Sequence, residues 1–525
     1  MKKYILILIA VFTTIAAIPA VHFLQSRMED SIRDNHLMGE KFAKEGGAPP
    51  GIAVSTVFLG AFRSVFSNAL WFRMTRLQEK GRYYEMVQLA DWILSVQPDN
   101  SMVAQFLGWN MAYNISVIHQ DKETRWRWIN KGIDALLYAI ELSPHDQMIY
   151  RELSWIYMHK LGDQMDDGNL YYKYMLANNL YPLYGNSHKP DWKALEKAPA
   201  DKKAFMKKYP ENTKLWFVLN ANGYADFDQL YEKTAPTSFL PEPVHEALGE
   251  ETAADIENAL RRIRLKKIHR LEPGHALEIE EKYGDFDWLL PETLGIYWAD
   301  LGIKMNSEEN SKPCKRIVAQ CLKISFLSGR IRFPNGTPSR EFLRFPNVSV
   351  FNSTVAMYTD LRGTDPIPGV DMGLSSFLLD AIDILYLYGK TDLAEKGYKQ
   401  LMDLGYSNPN NFGLNDFMNI RLRKIINDGS YNQVQYLIVL FIERTAYALA
   451  DGEHDEAERH LAFAKQIYEL YEKRNADIKE QGRLNMPPFQ EFLRLVIGEL
   501  RKQQPALSRA LDAELFLQEQ NTRKP

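Results

Sequence analysis

The stretch GRYYEMVQLADWILSVQP, Gly81–Pro98, constrains the fold of this chain more than any other. A glycine between two apolar-periodic segments marks a tight turn, because without a Cβ it takes positive φ freely. Ahead of Gly81 runs LWFRMTRLQEK, which holds helix formers and no breaker. Behind it Val87, Ala90, Ile93 and Leu94 recur at three- and four-residue spacing, so they share one face of a second helix. Pro98 with Asp99 then stops that helix. Two short helices joined by a turn cannot bury their apolar face alone, and such pairs stack. The spacing therefore predicts a mainly all-α chain built from helical hairpins.

The rhythm returns further on. Gly108 in FLGWNMAYN takes a small position on a first helix, and Gly132, Leu136, Ala139, Ile140 and Pro144 take second-helix positions. A third first helix spans Gln147 to Lys160, with Leu153, Ser154 and Tyr157 in register. Pro98 and Pro144 stand 46 positions apart, and the surplus falls around HQDKET, between Ile118 and Arg125, where longer helices absorb it. Towards the C-terminus Gly389 precedes Ala394, Tyr398 and Leu401, and Gly452 precedes Ala457, Leu461 and Ala464, each at hairpin spacing.

Between these arrays the pattern changes. Residues 185–290 are rich in proline, lysine and acidic residues without a sustained period, and read as an irregular inserted lobe of short helices and loops. The lobe holds a basic run, Arg261, Arg262, Arg264, Lys266, Lys267, His269 and Arg270, with Leu260, Ile263, Ile268 and Leu271 among it at helical spacing. Such a run is either the solvated face of an amphipathic helix or a contact for anionic lipid or an acidic partner. The acidic stretch Glu278, Glu280, Glu281, Asp285 and Asp287 is near enough to neutralise it internally. Residues 291–330 read as a pair of amphipathic helices; Cys314 and Cys321 lie seven apart there, about 10 Å along a helix axis, too far for a disulfide. Asn335-Gly336 between aromatic and β-branched residues predicts a small strand pair within 331–365.

The N-terminus carries the clearest address. Lys2 and Lys3 precede the apolar run Tyr4–Leu24, whose 21 residues would make a helix long enough to cross a bilayer. The lysines favour a cytoplasmic N-terminus with the bulk outside. A cleaved signal peptide ending at Ala20 is the alternative. Residues 25–50 are polar and read as a stalk, and Gly51–Leu70, interrupted by Arg63, Ser64, Ser67 and Asn68, reads as the first amphipathic helix of the array. With a formal net charge of −4 the chain has no general attraction to nucleic acid.

The residues at Gly81, Tyr83 and Pro98 resemble a tetratricopeptide repeat (TPR), a unit of about 34 residues with a glycine at its inter-helix turn and a closing proline. From VFLGAFRSVFSNALWFRMTRLQEKGRYYEMVQLADWI through WNMAYNISV, RWRWINKGI and YRELSWIYMHKLG to YGDFDWLLPE, the chain looks like a family of bacterial membrane-anchored TPR-like proteins, a likeness that implies an architecture and assigns no activity. It implies a TPR-like helical-hairpin solenoid organised as 1–24 anchor or signal, 25–50 stalk, 51–184 N-terminal repeats, 185–290 inserted lobe, 291–330 helical pair, 331–365 strand pair and 366–525 C-terminal repeats. In that likeness first-helix positions line a concave groove for a protein or peptide partner. They fall on Asn68, Trp71 and Thr75, then Gln105, Trp109 and Tyr113, then Arg151, Trp155 and His159. Core packing of the tryptophans is the competing reading.

Chemistry is sparse in the sequence. His245-Glu246 lacks the second histidine of HExxH, and His269 and His275 alone make a poor metal pair. Gly389-Lys390-Thr391 mimics the end of a phosphate loop, but Ile384 stands where its leading glycine belongs, so it reads as a turn. Asp163, Asp166 and Asp167 lack the spacing of a calcium loop. Asp285 and Asp287 read as a structural loop or a carboxylate pair in a cleft. We expect no catalytic residue, cofactor or metal, and a membrane-anchored extracytoplasmic scaffold. The alternative is an envelope enzyme or glycan-binding protein with its site in the 185–290 lobe.

Overall fold

The computed structural model describes residues 63–96, 101–211, 213–407, 412–475 and 486–522; the apolar run Tyr4–Leu24, the stalk and Pro98 lie outside them. Among the described residues the chain forms 23 α-helices and one two-stranded sheet. No described helix is long and apolar enough to cross a membrane. The chain divides into two compact units, Met1–Ile156 and Tyr157–Pro525.

In the first unit α1 (Arg63–Glu79), α2 (Tyr83–Val96), α3 (Ser101–Trp109), α4 (Lys122–Leu142) and α5 (Gln147–Trp155) each pack on the next, and α3 also packs on α5. Gly81 holds φ +68° in the α1–α2 turn, the conformation expected of it. Met74, Leu77, Met86, Ala90, Ile93, Val103 and Leu107 form a shared core, with Val87 and Leu94 against it. The surplus length before Pro144 is helix: α3 continues as a π-turn (Asn110–Ile115) and a 3₁₀ turn (Ser116–Ile118), and α4 is 21 residues long, started by an Asp121 N-cap on the Thr124 N–H. Helices α3 and α4 cross at two glycines. A Cβ on Gly132 would sit 2.7 Å from the Gly108 carbonyl oxygen, so the backbones touch where the small positions fall.

In the second unit α6 (Asn169–Leu180) leads to short helices α7 (Trp192–Lys197), α8 (Lys202–Lys208), α9 (Lys214–Ala221), α10 (Phe227–Lys233) and α11 (Glu242–Leu248), then α12 (Glu250–Arg264). Asp191, Asp201 and Asp226 each accept from the backbone N–H three residues on, so three of these helices start at a cap. Phe205, Trp216, Leu219, Phe227, Leu230, Ile256 and Leu260 give them a core of their own. Next come α13 (Pro273–Tyr283), α14 (Pro291–Lys304) and α15 (Glu308–Ser328). The sequence reads α14 as amphipathic, yet every residue from 291 to 300 is buried, Glu292 and Asp300 included. It is a central helix with α13 and α15 packed on it, and its buried carboxylates Glu292 and Asp300 each meet a partner from elsewhere in the unit. Cys314 and Cys321 on α15 are buried and form no disulfide.

Strands β1 (Arg330–Arg332) and β2 (Leu343–Phe345) pair antiparallel, Ile331 opposite Arg344. Asn335-Gly336 turns the chain just after β1, with the Gly336 N–H bonded to the Phe333 carbonyl, but a longer loop precedes β2. The pair occupies less of 331–365 than expected, because Phe351–Thr364 is helix α16. Helices α17 (Pro368–Leu387), α18 (Thr391–Asp403), α19 (Leu414–Asp428), α20 (Tyr431–Ala450), α21 (His454–Asn475), α22 (Phe489–Gln503) and α23 (Pro505–Thr522) complete the unit. Gly389 and Gly452 turn α17 into α18 and α20 into α21, and Ala394, Leu401, Ala457 and Ala464 are buried as their spacing predicts.

Candidate partner-binding face

The residues proposed to line a groove meet different fates in the first unit. Asn68 on α1 is exposed. Trp71 is half-buried, its ring tilted against Phe106 of α3 at 5.3 Å, and it packs on the shared core. Thr75 turns its hydroxyl back to the Trp71 carbonyl at 3.0 Å, so this hydroxyl is engaged within its own helix. On α3 Gln105 is half-buried, while Trp109 is 40% exposed and stacks on Tyr113 one turn later, ring centroids 4.2 Å apart.

That aromatic pair rests on a polar knot. Asn110 is fully buried between them. Its amide donates to the Phe106 carbonyl at 2.7 Å, and its carbonyl oxygen accepts from Gln78 of α1 at 3.0 Å and from Asn114 at 2.8 Å. A buried amide costs free energy unless its donors and acceptors are met, and here meeting them ties α1 to α3 beneath Trp109. The same residue opens the π-turn, which departs from regular α spacing beneath Tyr113.

On α5 Arg151 and Trp155 are half-buried. Arg151 lies 4.0 Å from the Glu152 carboxylate; burial pushes the Glu152 carboxyl up, with Arg151 pulling the other way. His159 belongs to the second unit, 4.0 Å from Asp163. The structure thus leaves Trp109 as the exposed tryptophan of the proposed set and fully buries neither Trp71 nor Trp155.

Sequence reasoning named the two acids of a second cluster, in the second unit, but not their partners. His188 Nδ1 lies 2.9 Å from Asp287 Oδ2, and the same oxygen accepts the Ile331 N–H of β1 at 3.0 Å. Burial pulls the His188 imidazolium down, but the hydrogen bond and charge of Asp287, with Asp451 beyond, outweigh it and hold its pKa above the ordinary value. Asp285 meets Lys189 at 2.7 Å and Arg330 at 2.5 Å. The two carboxylates therefore join the loop to β1 and to 188–189, which is the structural-loop reading. The DFDW run signalled the acids, but nothing local in NSHKP signalled a partner for Asp287 ninety-nine positions on.

The basic run is used inside its own unit. Arg261 pairs with Glu257 at 2.9 Å, Arg262 donates to the Glu196 and Ala198 carbonyls, and Lys266 meets Glu272 at 2.7 Å. Arg264 is buried and donates to the Tyr231 carbonyl and to Thr234 and Ser238. Asp166 likewise takes Lys160 at 2.5 Å and the Gly168 N–H at 2.8 Å, closing a structural turn. Comparison with protein-family models gives no match, and comparison with curated proteins gives none either.

Proposed function

We propose that this chain is a membrane-tethered scaffold whose first helical hairpins, arranged as a TPR-like solenoid, hold a protein or peptide partner at the extracytoplasmic face of a bacterial envelope. The observation that carries the reading is the Trp109–Tyr113 stack, held half open on α3 above the buried Asn110 knot. Exposed aromatics fixed on a rigid element are the anchors that interfaces use, because they bury much area at little conformational cost. Arg151 and Trp155 on the adjoining α5 extend the same chemistry. The Tyr4–Leu24 run supplies the tether.

The test is capture from solubilised membranes by the full chain and by Trp109→Ala. One stoichiometric protein partner retained by the native chain and lost by the variant, with a melting temperature nearly unchanged, supports the reading. Capture that survives the substitution refutes the role of this face. A sugar bound to the purified chain would instead favour the glycan-binding alternative.

A further inference from the structure

The helices α17, α19, α20 and α21 of the second unit enclose an open cleft of about 370 Å³. The cleft exists because α19 packs loosely: only Leu414, Met418 and Ile426 of its fifteen residues are buried, and Ile420 and Ile425 stay about half exposed. Its interior is apolar, formed by Leu387, Leu422, Leu437 and Phe463 among others, and its polar groups include Asp383, Arg421 and Arg459. The first two cancel: Arg421 makes a two-pronged contact with Asp383 at 2.8 and 2.6 Å. Arg459 is exposed and has no carboxylate within ion-pair distance among the described residues. The cleft therefore combines an apolar interior with one uncompensated cation.

We propose that this cleft binds a long-chain carboxylate, a free fatty acid, with its alkyl chain against the apolar interior and its head group on Arg459. The volume lies in the range of small-molecule sites. At about 30 Å³ for each water-sized group it accommodates on the order of a dozen methylenes. A peptide fits the cleft less well. Helical walls have their backbone groups bonded internally and offer no strand edge for a peptide backbone to join. A second helix, about 10 Å across, needs more room than the cleft gives. Arginine is suited to the head group, since its guanidinium meets a carboxylate with two parallel hydrogen bonds.

The experiment is photolabelling of the full chain in amphipol with a diazirine-bearing hexadecanoate, mapped by peptide mass spectrometry. Label on 418–425 and 459–466, displaced by unlabelled hexadecanoate and at least roughly tenfold less well by hexadecanol, is the expected result. Arg459→Glu should weaken labelling by roughly tenfold or more, and Ala462→Trp, which fills the cleft from an exposed position, should abolish it. Labelling unchanged by Ala462→Trp, or hexadecanol competing as well as the acid, overturns the proposal. So does a dimer, seen by light scattering, that Ala462→Trp dissociates, for then a second copy is the occupant. The competition on the native chain decides the matter even if a variant folds poorly.

Discussion

Gly132→Ala is the sharpest test of the packing in the first unit. In an isolated helix the change is favourable by about 1 kcal/mol, because alanine lowers the backbone entropy of the unfolded chain and is the better helix former. In α4 the added methyl would lie 2.7 Å from the Gly108 carbonyl oxygen and 3.4 Å from the Met111 Cβ. The first contact is with backbone, which yields only if α3 moves away from α4, and overpacking of this kind costs about 1–3 kcal/mol. The contact is with backbone, so the upper part of that range applies, and less the gain of about 1 kcal/mol, Gly132→Ala should destabilise by up to about 2 kcal/mol. Gly498 is the internal control: it lies within α22, and a methyl there meets nothing within 4 Å. Gly498→Ala should stabilise by about 0.5–1 kcal/mol. Hydrogen exchange followed by mass spectrometry reads each helix separately. Faster exchange in α3 and α4 for the first variant and slower exchange in α22 for the second are expected. Equal signs at the two positions would refute the close approach of α3 and α4.

Three further expectations follow from single residues. Gly81→Val should lower the melting temperature of the first unit, since φ +68° strains a β-branched residue by about 1–3 kcal/mol, and an unchanged melting curve would place the turn elsewhere. Lys173 is buried on α6, bonded to the Asn169 side chain and the Asp163 carbonyl, and burial, with the charge of Arg344, brings its pKa down to about 8. Between about pH 8 and its unfolded value near 10.5 the unfolded state binds more protons, so stability should rise with pH there by about 3 kcal/mol, a slope that Lys173→Met should remove and urea unfolding at stepped pH would read. The raised pKa of His188 works in the other direction: its pairing with Asp287 stabilises fully below the unfolded histidine value and is lost as pH rises through the folded one, and Asp287→Asn should flatten that dependence in the same titration.

The hairpins were legible because their signals are local. Gly81, Gly389 and Gly452 all hold positive φ where a glycine separates two apolar periods, and the small residues at 108 and 132 lie at a helix crossing. What the sequence concealed is set by partners far away in the chain. The α14 pattern reads as amphipathic because Glu292 and Asp300 are polar, but Glu292 meets Arg344 of β2, while Asp300 meets Lys282 and Tyr283 of α13. A charged residue with a distant counter-ion looks like a surface residue in any local window. Trp109 shows a different limit: helical spacing fits an aromatic to a groove or to the core alike, and only the three-dimensional packing shows that its ring is 40% exposed.

The basic run of α12 has a physical origin that charge counting overlooks. Each helix C-terminus leaves about four backbone carbonyls without an intrahelical partner, and a lobe made of very short helices is mostly helix ends. Long guanidinium side chains on one continuous helix reach those carbonyls: Arg262 serves the end of α7 through the Glu196 and Ala198 carbonyls, and Arg264 serves the end of α10 through the Tyr231 carbonyl, with the Thr234 hydroxyl beside it. The short helices and the arginines are one arrangement, so replacing Arg264 with methionine should open the α10 end to hydrogen exchange before it affects α12. The same reasoning separates these arginines from Arg459. It makes no hydrogen bond to a helix end and no ion pair among the described residues, and it stands beside an apolar cleft whose other arginine is already neutralised. An arginine with no such partner has its guanidinium free to meet an incoming carboxylate.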